Sequence, residues 1–168
     1  MMPIVLFRLD ERLIHGQVVV GWVSYLRAHR LVILNDRVAS TPWEKELYLA
    51  CVPPELKASI FSLEEGFKKI SNAEFEKENI MVLLDNPLDL LRLVKKGVKI
   101  SEVNVGGMHF KDGRKQILPY IYLTAEEIAI FKELFQLGTS CFCQDVPTAE
   151  KKDLKRLLEK LSFGYTMP

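Results

Sequence analysis

The segment from Arg8 to Gln17 places two arginines, a carboxylate and a histidine in one short stretch of this 168-residue chain. Near pH 7 a histidine presents a neutral ring nitrogen, which is nucleophilic and forms covalent intermediates. The arginines at positions 8 and 12 would supply fixed positive charge and bidentate geometry for phosphate oxygens. Asp10 would hold the ring or an arginine in place. These residue types predict a site that receives a phosphoryl group on His15.

The residues that follow His15 suit the same chemistry. Gly16 has no side chain and lets the backbone approach a ligand closely, and a helix beginning at Gln17 would offer unpaired N–H groups to an anion. A charged loop with one histidine is also a common kind of solvated turn, so the spacing alone leaves both interpretations open. The chain has no Gly-rich loop ending in Lys-Ser/Thr, and a nucleotide as the direct phosphoryl donor is therefore unsupported.

The elements that would position this loop alternate between short β-rich runs and helical patterns. Strands are predicted over 3–8, 30–35, 57–61, 79–84, 102–105, 120–123 and 139–144, and helices over 17–27, 42–52, 62–71, 86–97, 124–138 and 149–161. Such βαβ alternation predicts an α/β fold: a single domain over 1–168, with a mainly parallel β-sheet and helices on both faces. Ligands bind beyond the carboxyl ends of such strands, where loops 8–17, 35–41, 84–87, 105–115 and 144–148 would meet.

Composition excludes several classes of protein. Lys and Arg number 23 against 22 Asp and Glu, which argues against a nucleic-acid-binding protein because such proteins cluster excess positive charge. Charge-free runs are far shorter than the roughly 20 apolar residues that a membrane-spanning helix needs. The apolar N-terminus lacks a signal peptide's basic region, and the cysteines Cys51, Cys141 and Cys143 form no disulfide framework. We therefore expect a cytoplasmic protein that is not embedded in a membrane.

A family resemblance strengthens the prediction for the first loop. The string Arg-Leu-Asp-Glu-Arg-Leu-Ile-His-Gly-Gln-Val, which begins at Arg8, closely resembles the signature of the IIB components of the mannose/fructose/sorbose family of the bacterial sugar phosphotransferase system. The resemblance spans nearly the whole chain. It continues through Asn35-Asp36, Pro53-Pro54, Asn86-Pro87, Asn104-Val-Gly-Gly-Met108 and Gln144-Asp-Val-Pro147.

The resemblance implies a phosphocarrier. In that family a histidine matching His15 accepts phosphate on ring nitrogen Nδ1 from a phosphohistidine on the IIA protein. It then passes the phosphate to a sugar imported by the membrane IIC and IID proteins. Positions matching Arg8 and Arg12 would stabilise the phosphate and Asp10 would orient the site, with no cofactor and no metal. The resemblance also implies peripheral association with the transporter, and self-association is expected.

Other positions are less specific. Asp36, Gly106, Gly107 and His109 are predicted to lie in loops near the site, although the two glycines equally fit a tight turn and His109 equally fits a surface position. A metal-dependent hydrolase using His15 and His109 has no recognisable ligand spacing.

Two departures from the family pattern affect partner contacts or sugar identity. Family members commonly have Lys where this chain has Asp85, and Asn-Asp where it has Thr148-Ala149. The alternative function is a non-catalytic regulatory or partner-binding module on the same fold.

Overall fold

The strands follow the predicted apolar runs in a computed structural model that describes residues 3–72 and 74–163. In chain order they are β1 (Ile4–Asp10), β2 (Arg30–Leu34), β3 (Lys57–Phe61), β4 (Ile80–Leu84), β5 (Glu102–Gly107), β6 (Lys115–Leu118), β7 (Ile121–Leu123), β8 (Ser140–Cys143) and β9 (Lys152–Asp153). Over the described residues a seven-stranded sheet has the order β3-β2-β4-β1-β5-β8-β9, and β6 pairs with β7 in a separate hairpin.

The helices are, in chain order, a π-helix (Gln17–Val23) continuing into α1 (Ser24–Leu26), then α2 (Asp36–Ser40), α3 (Pro42–Ala50), α4 (Leu63–Ser71), α5 (Pro87–Lys95), α6 (Ala125–Gln136) and α7 (Leu154–Phe163). Helices α4, α5 and α6 begin at the predicted positions, and each has a side-chain cap. Ser62 and Thr124 each form a reciprocal capping box with a glutamate three residues later. Gly97 and Gly138 follow α5 and α6 with positive φ angles of 100° and 90°.

The predicted fold class is confirmed: an α/β fold on a mainly parallel sheet. Strands β1 to β5 and β8 pair in parallel, and β9 pairs antiparallel with β8. Alternate strand residues point to opposite faces, and each face carries its own apolar cluster. One cluster joins Leu9, Val82 and Val105 to α4–α7, while the other joins Ile33 and Leu83 to the π-helix and α2.

Three short elements were missed by the sequence prediction. Helix α2 follows β2 directly because the Asn35 side chain accepts a hydrogen bond from the Val38 N–H and caps it. The Thr41 hydroxyl, directly before α3, does not cap that helix and donates to the Arg37 carbonyl at 2.7 Å. Strands β6 and β9 were also unpredicted, and α7 begins at Leu154 rather than at 149 because residues 152–153 pair with β8.

The chain leaves β1 and β5 in opposite directions. After β1 it crosses to β2 through the π-helix on one face, and after β5 it reaches β8 through the hairpin and α6. Adjacent strands whose connections diverge in this way leave a crevice at their carboxyl ends, where ligands of open α/β sheets bind. Strand β1 continues to Asp10, so the loop predicted over 8–17 begins instead at Glu11, in that crevice, where the Glu11 N–H donates to the Gly107 carbonyl at 3.0 Å.

Candidate functional site

A tight turn brings His15 back over the end of β1. The Leu13 N–H donates to the Asp10 carbonyl at 2.9 Å, and Leu13 has a φ of 56° in the left-handed region. That conformation costs a non-glycine residue about 1–2 kcal/mol. Leu13 and Ile14 offset this cost by burying their side chains in the apolar cluster beneath the π-helix. The strained turn therefore fixes the position of His15 relative to Asp10.

Asp10 is the centre of the site and is fully buried. Its Oδ2 lies 3.0 Å from His15 Nε2 and accepts from Arg8 Nη2 at 2.9 Å and from Arg12 Nη2 at 3.0 Å. Its Oδ1 accepts from Arg12 Nε at 3.0 Å and from the Arg12 backbone N–H at 3.1 Å. One carboxylate thus orients the histidine ring and both arginines of the loop.

The charge state of Asp10 decides which nitrogen of His15 is nucleophilic. Burial acts to raise the pKa of Asp10, but hydrogen bonds from His15 and Arg12 and the charge of Arg8 outweigh it and hold the pKa well below its usual value. An ionised carboxylate only accepts hydrogen bonds, so Nε2 of the neutral ring carries the proton and Nδ1 carries the lone pair. The His15 side chain is 18% exposed, and among residues 3–72 and 74–163 no hydrogen bond reaches Nδ1.

Arg8 is enclosed on every side. Its side chain is 0% exposed, and Nη1 donates to Asn104 Oδ1 and to the Gln144 carbonyl. Nη2 donates to Asp10 and to the Asp145 carbonyl at 3.1 Å. Burial lowers the pKa of Arg8, while the charge of Asp10 opposes that change. Because the Nη groups already have these buried acceptors, Arg8 serves the site through Asp10.

Arg12 is placed differently from Arg8. Its side chain is 37% exposed, and besides Asp10 it contacts the Gln17 side-chain oxygen at 3.3 Å. A guanidinium at this edge can keep its contacts with the carboxylate and still offer N–H groups to an anion beside His15. The two arginines that the sequence treats alike therefore differ in what they can reach.

The predicted glycines lie against the same cluster. A Cβ at Gly106 would stand 2.0 Å from Arg8 Cζ, and a Cβ at Gly107 would stand 2.9 Å from Asp10 Oδ1. Both positions must therefore lack a side chain for the buried ion pair to fit against β5. Gly16 is exposed, has an ordinary φ of −52°, and has no atom within 4 Å of an added Cβ. Its contribution is open space beside His15 rather than unusual backbone conformation.

Two other residues predicted to lie near the site, His109 and Asp36, make their contacts away from the His15 ring. His109 approaches the loop through Glu11, with Nδ1 3.3 Å from Glu11 Oε2 and the backbone N–H donating to the same oxygen at 2.9 Å. Asp36 Oδ1 accepts from the Leu63 N–H at 2.8 Å, so its carboxylate helps to begin α4. Neither residue contacts His15 or Asp10 in the described part of the chain.

The two departures from the family pattern also have defined surroundings. The Asp85 carboxylate, at the end of β4, accepts from the Asn86 side-chain amide at 2.8 Å. The Ala149 carbonyl accepts from Gln144 Nε2 at 2.7 Å, so residues 148–149 are held against the end of β8. Both departures lie in segments beyond the carboxyl ends of strands in the same sheet as β1.

A salt bridge joins the loop to the neighbouring helix. Arg114 Nη2 lies 2.6 Å from Glu11 Oε1 and 2.6 Å from Glu127 Oε1, and its side chain is only 5% exposed. Glu127 also belongs to the capping box of α6. The loop after β1 is therefore tied to the hairpin and to the start of α6.

Sequence reasoning missed Asn104, Gln144 and Trp22 as members of the site. Asn104 is fully buried opposite Arg8, with which it is paired in register across β1 and β5. A buried polar group requires a partner, so an asparagine inside an apolar strand was the available signal. The Trp22 indole N–H donates to the Asp145 carbonyl at 2.8 Å, a contact that nothing in the local sequence indicates.

Neither a metal centre nor a membrane-spanning helix is found in the described ranges. Residues 3–72 and 74–163 contain no group of three or more His, Cys, Asp or Glu placed to hold a metal ion. Over the same residues no helix is long and apolar enough to cross a membrane. The site consists of a histidine, a carboxylate and two guanidinium groups.

Comparison with known proteins shows the family. Residues 4–166 match the family model described as the PTS system sorbose subfamily IIB component. The chain is 38% identical over 155 residues to the N-acetylgalactosamine-specific phosphotransferase enzyme IIB component 2 of Escherichia coli, covering 92% of this chain and 98% of that protein. It is 33% identical to the fructose-specific EIIB component of Bacillus subtilis, covering 96% and 99%.

A solved structure supports the same family assignment. The IIB domain of the sorbose permease from Klebsiella pneumoniae superposes with a TM-score of 0.90 at 33% identity, covering 96% of this chain and 99% of that one. The family match over residues 4–166 takes in β1 and the loop that carries His15. This chain therefore belongs to the sorbose subfamily of IIB components of the sugar phosphotransferase system.

Proposed function

We propose that the chain is a phosphocarrier in which His15 accepts a phosphoryl group from a phosphohistidine on a IIA partner. The group then passes to a sugar imported through membrane IIC and IID components. The observation that carries the proposal is the His15 ring, whose Nε2 lies 3.0 Å from the buried, ionised Asp10 and whose Nδ1 accepts no hydrogen bond from the described residues. The sugar-specific phosphotransferase names of the relatives support the same chemistry.

Phosphoryl transfer to Nδ1 uses these groups directly. The Nδ1 lone pair attacks phosphorus, an N–P bond forms, and the N–P bond of the donor breaks with its electron pair returning to the donor ring. The His15 ring thereby becomes cationic, and the Asp10 carboxylate stabilises it through Nε2–H. A hydrogen bond to a charged group contributes about 1.5–3 kcal/mol. In the second transfer a sugar oxygen attacks phosphorus, its proton leaves to water, and the Nδ1–P electron pair returns to the ring.

The arginines have separate roles in this proposal. Arg12, which is 37% exposed, donates to the oxygens of the transferred group, whose charge is spread over the equatorial positions. Arg8, which is fully buried, holds Asp10 in place. The start of the helix at Gln17 adds about 0.3–1 kcal/mol of favourable interaction with an anion.

Phosphorylation tests the assignment of His15. The protein is incubated with radiolabelled phosphoenolpyruvate and the upstream carrier proteins, and acid-labile, base-stable phosphate is measured. We expect label on the parent chain and on His29→Gln, because the His29 ring contacts Asn79, from whose N–H it accepts a hydrogen bond, and lies outside the cluster around Asp10. We expect none on His15→Ala. Label that persists on His15→Ala would remove the assignment.

The proposal also covers the setting of the protein. Residues 1–168 act as one IIB domain in the cytoplasm, associating peripherally with the membrane components and with further copies of the chain. Sedimentation of the purified protein measures self-association. Co-sedimentation with vesicles that contain the IIC and IID proteins measures peripheral association.

A further inference from the structure

A continuous path of hydrogen bonds runs from the π-helix to the His15 ring. Trp22 Nε1 donates to the Asp145 carbonyl at 2.8 Å, and that carbonyl also accepts from Arg8 Nη2 at 3.1 Å. The same Nη2 donates at 2.9 Å to Asp10 Oδ2, the oxygen that lies 3.0 Å from His15 Nε2. Four contacts thus link an indole N–H to the ring that would carry the phosphoryl group.

Trp22 is enclosed where it makes the first contact. The residue is 3% exposed, and Arg8 Cζ lies 5.3 Å from the centroid of its ring. The helix packs closely on the segment after β8, since a Cβ at Gly21 would stand 3.3 Å from Pro147 Cδ. Indole and guanidinium therefore meet at one backbone carbonyl, in surroundings where hydrogen bonds are stronger than in water.

The orientation of Arg8 depends on few acceptors. Its Nε is buried and has no hydrogen-bond partner in the described part of the chain, so the Nη contacts there determine how the guanidinium turns. Two of those acceptors are the carbonyls of Gln144 and Asp145, which belong to the segment between β8 and β9. Only the second of these carbonyls receives the indole N–H.

We propose that Trp22 is a positioning residue for the reaction at His15, acting through the Asp145 carbonyl and Arg8 on Asp10. The inference rests on the proposed function of His15 as phosphoryl acceptor. Loss of the indole N–H leaves the Asp145 carbonyl with Arg8 as its remaining donor in the path. The guanidinium then turns relative to Asp10 Oδ2, and the carboxylate stabilises the cationic ring less well.

The test is Trp22→Phe, which removes the N–H donor and keeps an aromatic ring. The rate of phosphoryl transfer from the phosphorylated IIA protein should fall about three- to tenfold, the effect of one neutral hydrogen bond. The fall should appear in kcat with KM for the IIA protein unchanged. The NMR chemical shifts of the His15 ring nitrogens should change, because a misaligned Asp10 binds the Nε2–H group less well. Trp22→His, which retains an N–H donor, should recover part of both effects.

Trp43→Phe is the matched control, because Trp43 is 66% exposed and loses the same group at a surface position. All variants are assayed at a temperature where circular dichroism shows them folded. An unchanged kcat together with unchanged chemical shifts of the His15 ring nitrogens in Trp22→Phe would overturn the inference, as would losses equal to those of Trp43→Phe. If the parent chain takes no phosphate, the proposed function fails, while the chemical shifts of the His15 ring nitrogens still test the positioning of Asp10 by Trp22.

Discussion

Replacing Asp10 by asparagine should destabilise the fold far more than its small change in shape suggests. The substitution keeps the size of the side chain and removes its negative charge. Arg8, with a side chain that is 0% exposed, then remains in the interior with only neutral acceptors. The amide also presents an N–H group toward donors, because Arg12 and His15 currently place N–H groups against both carboxylate oxygens.

The magnitude follows from that burial. Removing one partner of a buried ion pair costs about 3–5 kcal/mol, because the other charge is left uncompensated. Domains of this kind are stable by about 5–15 kcal/mol in total. We therefore expect Asp10→Asn to lose about 3–5 kcal/mol and to remain folded near room temperature with a much lower denaturation midpoint.

A double-mutant cycle separates the ion pair from other effects of the substitution. Arg8→Met alone leaves Asp10 bound to Arg12 and His15 but deprives Asn104 Oδ1 of its donor. In the double variant the loss of Asp10 no longer strands a buried cation. The sum of the two single-variant losses in free energy of unfolding should therefore exceed the loss in the double variant by at least about 1 kcal/mol. That difference is within the range measured for residues in contact.

Urea denaturation followed by circular dichroism measures each free energy of unfolding. Equal slopes against urea in the four proteins would show that the same surface is exposed on unfolding. A loss below about 1 kcal/mol in Asp10→Asn, or strictly additive losses in the cycle, would refute the reasoning that Asp10 compensates a buried Arg8.

Three further predictions concern the glycine beside Arg8, the acid titration of Asp10 and the reactivity of the cysteines. Gly106→Ala should lower thermal stability by about 1–3 kcal/mol because its Cβ would stand 2.0 Å from Arg8 Cζ, whereas Gly16→Ala, with open space around the added Cβ, should change it little. The folded-state pKa of Asp10 lies below its ordinary value of 3.8, so its stabilisation is complete above that pH and is lost as the pH falls further; acid titration of Asp10→Asn should show a shallower decline. Alkylation of the native protein near about pH 8 should label Cys51 alone, because the other two cysteines are buried and burial raises their pKa values; adducts counted by mass spectrometry check this.

The sequence predicted most of the strands and helices because their signals are local. Apolar runs such as Ile80–Leu84 need no knowledge of the rest of the chain, and the capping boxes at Ser62 and Thr124 lie within four residues. Strand β9 was missed because its two residues become a strand only by pairing with β8. The short elements that depend on distant partners are the ones that local patterns do not indicate.

The site residues likewise fall into a group that the local sequence indicates and a group that reaches the site from distant parts of the chain. Arg8 and Asp10 end β1, and Arg12 and His15 follow in the loop after it, so the local sequence and its family resemblance were enough to group all four. Asn104 and the Gln144 carbonyl reach Arg8 across 96 and 136 residues, and such contacts exist only once the register of β1 and β5 is set. The difference between the two arginines also depends on burial, which spacing does not reveal.

The Arg8–Asp10 pair lies on β1, between β4 and β5. Because of this position, the free-energy cost of assembling the site arises during folding. The pair is desolvated and its side-chain entropy is lost once, while the sheet forms, so the charges already point at His15 before any partner arrives. A preorganised site needs no reorganisation during a collision. For the proposed carrier, an encounter that lasts only long enough to align two rings would suffice, and weak, short-lived complexes would become an advantage for turnover.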